Sequence, residues 1–456
     1  MKTEYTFTLY IFLIALVFAA AFFFTGAPGY CETKVPDKIA VYEAVLKYCS
    51  LWDEKESGDL ANYAYDDAAD YAKEAAVKLL DEKLTEKSEA YQVLVKISEG
   101  VSAMFTVTAE ADKEFLRKAK LDNNTMRKNA KIMASTAKYL AAAGPAKGAL
   151  ALKCLLAALL FTINNDEAHT GIPVKYTSTG GVLVNRLVSI SCQNILCQTL
   201  IKVLASAEFE EKALTSLYKT IDFIEKKRPS FALAIEEARV ETVKIIEDVA
   251  SLDPGLFSGP DSAPLFPPGA YRAMSAEIKK SPFALKLVRL YADEGIRQIG
   301  EVFSALAKSF DMPFAQARAI LDEQDRKFFD HKYNNLLAQL SAPNIVRLHE
   351  QVVKNQVCMD FVKLYACLKL HKLISKTFPA KLEDAARSAS VTLPPDRFSG
   401  KSYEYRLNSS GGFAVVSPGP DLKISVKPEG IADILSGREF KAPDDLILTE
   451  TGSRIR

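Results

Sequence analysis

Apolar and polar positions along this chain repeat with a helical period over most of its length. After residue 37, apolar side chains return every three or four residues through 60–84, 88–106 and 112–142. Each stretch reads as a helix with one buried stripe. Asp37 stands where it can cap a first helix over 38–51. Residues 109–131 are dense in charge and read as a surface face. Gly144 and Pro145 punctuate the chain ahead of 151–163, an almost wholly apolar run that carries Lys153. That run is short for a membrane span, so it reads as a core helix.

Residues 164–181 form a polar interval that reads as a long loop, and such loops often carry function. A second apolar helix follows over 181–205, then helices over 208–226 and 229–251, with Pro229 suited to a first turn. Five prolines and three glycines interrupt the pattern in 252–269, the clearest boundary in the chain. Helices resume over 271–280, 282–310 and 313–337, the last with Asp311 as its cap. A long helix over 343–376 carries the stripe Val353, Val357, Phe361, Leu364 and Leu368.

The texture changes at Phe378. Runs 402–407 and 412–417 have the alternation of a half-buried hairpin, with Tyr403, Tyr405, Phe413 and Val415 on its apolar face. The turn signal Asn408-Ser409-Ser410-Gly411 joins them. Residues 422–426 read as a third strand. The pattern therefore predicts a mainly α protein, a multi-helix array with a small C-terminal α+β module of helix plus antiparallel hairpin. It divides into a segment 1–31, a helical domain 32–252, a linker 253–269, a second helical region 270–377 and the small module 378–456.

The first segment changes the picture. Between Tyr5 and Phe24 the chain is apolar and uncharged, and Gly26, Ala27, Pro28 and Gly29 follow. A weakly positive start, an apolar stretch and a small-residue break form the layout of a signal peptide. The stretch is also long enough to span a bilayer uncut. Two readings stay open: release into the periplasm, or an inner-membrane anchor with the rest facing the envelope. Bulky Tyr30 and the misplaced Pro28 argue against lipid attachment at Cys31. The net charge of +1, with no basic cluster among aromatics, excludes nucleic acid as the expected partner.

Seven cysteines in an exported chain raise the question of disulfides. Cys192 and Cys197 lie about 7.5 Å apart along one helix and on different faces, and Cys358 and Cys367 about 13.5 Å apart. Neither pair can bridge within a continuous helix. Bridges between helices and simple buried thiols remain as alternatives. No CxxC occurs, so no zinc site is expected.

No catalytic, cofactor-binding or metal-binding residue is assigned. None of His169, His331, His349 and His371 has metal-binding spacing. His169, following Asp166 and Glu167 in the polar interval, is the best ligand candidate, although a solvated loop histidine is the commoner case. Asp66, Asp67, Asp70 and Glu74 gather carboxylates near one helical face, which reads as a solvated face. Arg186 inside an apolar helix needs a partner, for which Glu237 or Glu241 is suitably placed. Ser417 lies in VVSPGPD and lacks the nucleophile-elbow context.

One further pattern spans about residues 376–421. Lys376-Thr377-Phe378-Pro379 ends the long helix, and Leu393-Pro394-Pro395-Asp396-Arg397-Phe398-Ser399-Gly400-Lys401 leads into Tyr403-Glu404-Tyr405. Ser417-Pro418-Gly419-Pro420-Asp421 closes the second strand. This order resembles the C-terminal module of the major pseudopilins of type II secretion. The second half of the chain is similar to uncharacterised bacterial envelope proteins in which an N-terminal apolar segment and a long helical region end in such a module, the helical part matching loosely around 185–204 and 356–373. The resemblance implies an assembly-type domain. Departures limit it: Thr6 and Ile11 stand where the pilin leader has Gly and Glu, and Arg397 replaces a proline. Leu422-Lys423 follows Asp421 where the family's calcium loop is acidic, so no calcium is expected. The expected function is a non-enzymatic envelope protein with a structural or protein-interaction role, with protein partners and with membrane contact through Tyr5–Phe24 if that segment is uncut. The role would be associated with secretion or assembly. The alternative is an envelope enzyme or ligand-binding protein with a cleft near 164–181.

Overall fold

Short polar side chains start several of the helices. Asp53 and Glu56 form a reciprocal capping box, with Glu56 N–H donating to Asp53 Oδ1 at 2.8 Å and Asp53 N–H to Glu56 Oε2 at 3.0 Å. Ser88 caps the helix after it by accepting from Tyr91 N–H at 3.1 Å, and Asp122 accepts from Thr125 N–H at 2.7 Å. In the computed structural model the described residues are 38–64, 70–105, 110–119, 121–169, 181–228, 230–251, 276–310, 312–329, 345–407, 411–424, 445–450 and 452–454. The segments 1–37 and 253–269, together with Asp66, Asp67, Pro229, Asp311 and His331, lie outside them.

The helices in chain order are α1 (Lys38–Ser50), α2 (Glu54–Tyr63), α3 (Asp70–Lys83), α4 (Glu89–Gly100), α5 (Glu110–Lys118), α6 (Asn123–Ala142) and α7 (Pro145–His169). They continue with α8 (Gly181–Ser206), α9 (Glu211–Lys227), α10 (Phe231–Ser251), α11 (Pro282–Ser309), α12 (Phe314–Phe329), α13 (Ile345–Ser375) and α14 (Leu382–Ala389). Strands β1 (Glu404–Leu407), β2 (Phe413–Ser417), β3 (Leu446–Thr449) and β4 (Gly452–Arg454) form one antiparallel sheet in that order. The protein is thus mainly helical with a small sheet near its C-terminal end.

Several expectations change. The helical stretch 112–142 is two helices, because Asp122 caps a new one and Asn123 and Asn124 bond locally more readily than they extend a helix. The interval 164–181 is not all loop: α7 runs on through His169. Its extra turn is held from inside, since Asn164 and Asn165 are buried. Leu422 has positive φ, and 422–424 are not strand. The third strand is instead β3, paired through Val415↔Leu448 and Val416↔Ile447. With β1 on its other edge, β2 is the strand from Phe413 to Ser417 whose every residue is buried, so simple alternation does not describe it.

α13 organises the interior. Val357, Phe361, Leu364 and Leu368 are fully buried as the stripe requires, and so are Cys358, Met359, Val362 and Tyr365 on the other faces. Each large side chain of this set contributes about 2 kcal/mol by leaving water. One continuous apolar cluster joins α1, α4, α6, α7, α8 and α13 to the sheet, ending at Phe413, Val415 and Leu448. A second cluster holds α10 against α11 through Ile235, Ile299 and Phe303 and reaches Leu348 on α13. Residues from Asp37 to Arg456 form one compact unit.

Among the described residues two segments, Pro145–Ala168 and Leu183–Ser206, are long and apolar enough to cross a membrane by length and composition. Both bury most of their apolar window inside the protein, as expected for core helices. The six described cysteines, Cys49, Cys154, Cys192, Cys197, Cys358 and Cys367, are free and buried.

Candidate functional site

Buried charge concentrates where α9, α13 and the segment after α14 meet. Residues spaced four and then three apart face this junction: Tyr218, Asp222 and Glu225 from α9, and Gln356, Asp360 and Lys363 from α13. The tail adds Thr392, Pro394, Pro395 and Arg397. Asp360 has no exposed side-chain surface. It accepts from Arg397 Nε at 2.6 Å, Arg397 Nη2 at 2.9 Å, Tyr403 Oη at 3.0 Å and Lys363 Nζ at 3.0 Å. Glu225 accepts from Lys363 Nζ at 2.5 Å and Arg397 Nη2 at 3.2 Å.

The electrostatics follow from burial. Desolvation, then the neighbouring Asp360, raises the pKa of Glu225, while Lys363 and Arg397 oppose the rise. Burial alone would lower Lys363 and Arg397, but Asp360 and Glu225 outweigh it and hold both above their ordinary values. Burial and Asp360 push the Tyr403 hydroxyl well up, which keeps it a neutral donor. Beside this network Asp396 closes its own turn, accepting from Ser399 N–H at 2.7 Å and Ser399 Oγ at 2.5 Å, and ties that turn to β2 by accepting from Ser417 Oγ at 2.5 Å.

Over the network opens a cavity of about 390 Å³, lined by the named α9 and tail groups with Lys226, Arg228, Gln356 and Lys363. Arg228 follows the last turn of α9. Its Nη2 donates to Gln193 Oε1 at 2.5 Å and to Asn355 Oδ1. Asn355 Nδ2 donates onward to Asn194 Oδ1 at 2.7 Å, and Gln193 Nε2 to Ser189 Oγ at 3.0 Å. Burial first, and the nearby Arg186 second, lower Arg228 to about 10.

A second polar cluster absorbs the residues singled out in the interval after 163. Asp166 pairs with Arg186, so a carboxylate at the end of α7 partners this buried arginine. Glu167 pairs with Lys113 and Lys227, both at 3.6 Å, and Lys227 Nζ donates to Asn164 Oδ1 at 2.8 Å. His169 ends α7, and its side chain is outside the description. His349 is buried between the rings of Phe310 and Phe314, with centroids at 4.5 and 5.2 Å. His371 Nδ1 and Ser388 Oγ share a 2.8 Å hydrogen bond. Among the described residues no group of histidine, cysteine and carboxylate side chains could hold a metal ion. Glu74 is exposed, in keeping with a solvated face.

Sequence reasoning passed over Glu225, Asp360, Lys363 and Arg228. A signal was present: Asp360 and Lys363 interrupt the run VCMDFVKLYAC, and charge inside so apolar a stretch is seldom buried unless paired. Arg397 was visible as a departure from a familiar pattern. Its side chain reaches from the tail to carboxylates on two helices. Comparison with protein-family models, curated proteins and solved structures finds no match to this chain.

Proposed function

We propose that this chain is a non-enzymatic envelope protein that holds protein partners, its pseudopilin-like tail fused rigidly to a helical body. One observation carries the reading. On α11 an apolar face is left exposed, with Phe283 at 72%, Leu287 at 50%, Leu290 at 54% and Tyr291 at 41%. Spacings of four, seven and eight residues put these side chains on one side of the helix. Contiguous exposed apolar surface marks contact with another macromolecule. The filled apolar interior around α13 fits a scaffold. The reading of an enzyme or ligand-binding cleft near 164–181 has less support, because Asp166 and Glu167 are taken up in ion pairs. Placement in the envelope rests on the apolar stretch from Tyr5 to Phe24.

A photoreactive residue at Phe283 or Leu287, in the full chain made in a Gram-negative host, tests the reading. Discrete protein adducts are expected there and not at the exposed Glu301. Adducts to lipid alone, or none at all, would sink the proposal. Intact mass with membrane fractionation tests location: a chain cut near Tyr30 in the soluble envelope, or an uncut chain in the membrane, agrees with it. Uncut chain in the cytoplasm does not.

A further inference from the structure

The cavity at the junction of α9, α13 and the tail carries an imbalance of charge. Four cations line it, namely Lys226, Arg228, Lys363 and Arg397, against Asp222 and Glu225. Counting the Asp360 carboxylate beneath, the anions number three. The pairing is specific. Lys226 is taken by Asp222 at 2.6 Å, and Lys363 and Arg397 are shared between Glu225 and Asp360. Asp396 does not redress the balance at the cavity, because its hydrogen bonds go to Ser399 in its own turn and to Ser417 at the end of β2.

Arg228 is the cation left over. Its two acceptors are neutral amide oxygens, of Gln193 and Asn355, and among the described residues it has no carboxylate within ion-pair distance. Both acceptors meet the same nitrogen, Nη2, so neither two-nitrogen edge of the guanidinium is open, but among the described residues Nη1 carries no hydrogen bond of its own and Arg228 lines the cavity. A guanidinium held in place by amides, with its charge unpaired and Nη1 as a remaining donor, suits one oxygen of a carboxylate or of a phosphate. Tyr218, Pro394 and Pro395 add an apolar wall. A volume of about 390 Å³ is far larger than one inorganic oxyanion fills and lies in the range of small-molecule sites.

We infer that this cavity is a binding site for a small organic anion, whose carboxylate or phosphate head pairs with Arg228 and whose body lies against Tyr218, Pro394 and Pro395. The site is formed by helices and tail together, so an occupied site ties α9 to the segment after α14. The inference does not depend on the exposed face of α11.

Calorimetric titration of the full chain with benzoate, phenyl phosphate, sodium phosphate and neutral benzyl alcohol tests it. Benzoate or phenyl phosphate should bind, and benzyl alcohol should not. A response to benzoate identifies a carboxylate head, and a response to phenyl phosphate alone a phosphate head. Arg228→Gln should weaken binding at least tenfold. Because Arg228 is partly buried and its loss could unfold the chain, Lys226→Glu serves beside it. Lys226 is exposed, and reversing its charge at the rim should weaken the same anion several-fold without affecting folding. Silence toward both organic anions would overturn the inference. So would sodium phosphate binding as tightly as phenyl phosphate with benzoate silent, or affinity unchanged in both variants.

Discussion

Arg397 grips Asp360 with two parallel hydrogen bonds, Nε to Oδ2 at 2.6 Å and Nη2 to Oδ1 at 2.9 Å. The pair joins the tail to the central helix α13, and the same guanidinium reaches Glu225 on α9. Side-on forks of this kind fix orientation as well as charge. The tail is therefore tied to the body by directional bonds in addition to the ring contacts of Phe361 with Tyr403 and Tyr365 with Phe413.

Arg397→Ala should leave Asp360 buried with only Lys363 and Tyr403. A hydrogen-bonded charge removed in this way costs about 2 kcal/mol. Arg397→Lys should recover only part of that, because an ammonium cannot reproduce the fork. Urea unfolding followed by the single tryptophan, Trp52, which is buried, reads both variants. Stability equal to the parent in Arg397→Ala would contradict the role assigned to this pair.

His349 predicts a pH dependence. Burial lowers its pKa from 6.5 to about 4. The folded state therefore resists a proton that the unfolded state accepts. Stability is unaffected by this group above about pH 6.5, falls as pH drops toward 4, and loses no more below that. Across the window the loss is about 3 kcal/mol. His349→Leu should flatten this part of the stability profile between pH 6.5 and 4, leaving the contribution of the carboxylates. A profile parallel to the parent's would refute it.

The six described cysteines should behave as inert thiols. Burial raises Cys49, Cys154, Cys192 and Cys367 to about 12, which removes the reactive thiolate at neutral pH. A maleimide should leave all six unlabelled in the folded protein and label them after denaturation. Rapid labelling of any of them in the native state, read by peptide mass, would count against this packing.

Gly148 on α7 packs tightly against Ala207, the residue just past the end of α8. A Cβ built there would lie 2.8 Å from the Cβ of Ala207. Gly148→Val should destabilise by about 1–3 kcal/mol, through overpacking. Gly58, where a Cβ meets nothing within 4 Å, provides the control: Gly58→Ala should be neutral or stabilising. Thermal unfolding of the two variants distinguishes them.

Much of this architecture was legible in spacing alone. The stripe on α13 and the pairing of β1 with β2 follow from periods of 3.6 and 2, which depend on neighbours in the chain. What spacing could not supply depends on distant residues. The last turn of α7 is helical because Asp166 and Glu167 find Arg186, Lys113 and Lys227, on three other helices. β3 lies beyond a long interval from β2, and no local turn signal announces it. The site was hidden for the same reason: Glu225, Asp360 and Arg397 are far apart in the chain and become one group only after packing. The charges within α13 were the readable trace of it.

The order of the strands bears on how the molecule is made. β2 has β1 on one edge and β3 on the other, and β3 and β4 occupy residues 446–454. A chain emerging from its N-terminal side presents β2 with one edge unpaired until those residues follow. Tyr365 on α13 likewise waits for the Glu450 carbonyl that accepts its hydroxyl. Sealing of the sheet over the central helix is thus a late, long-range event, and late long-range pairing is slow. In a nascent chain of this design the small sheet is therefore the element left with an open edge, a place where another strand could pair before residues 446–454 arrive.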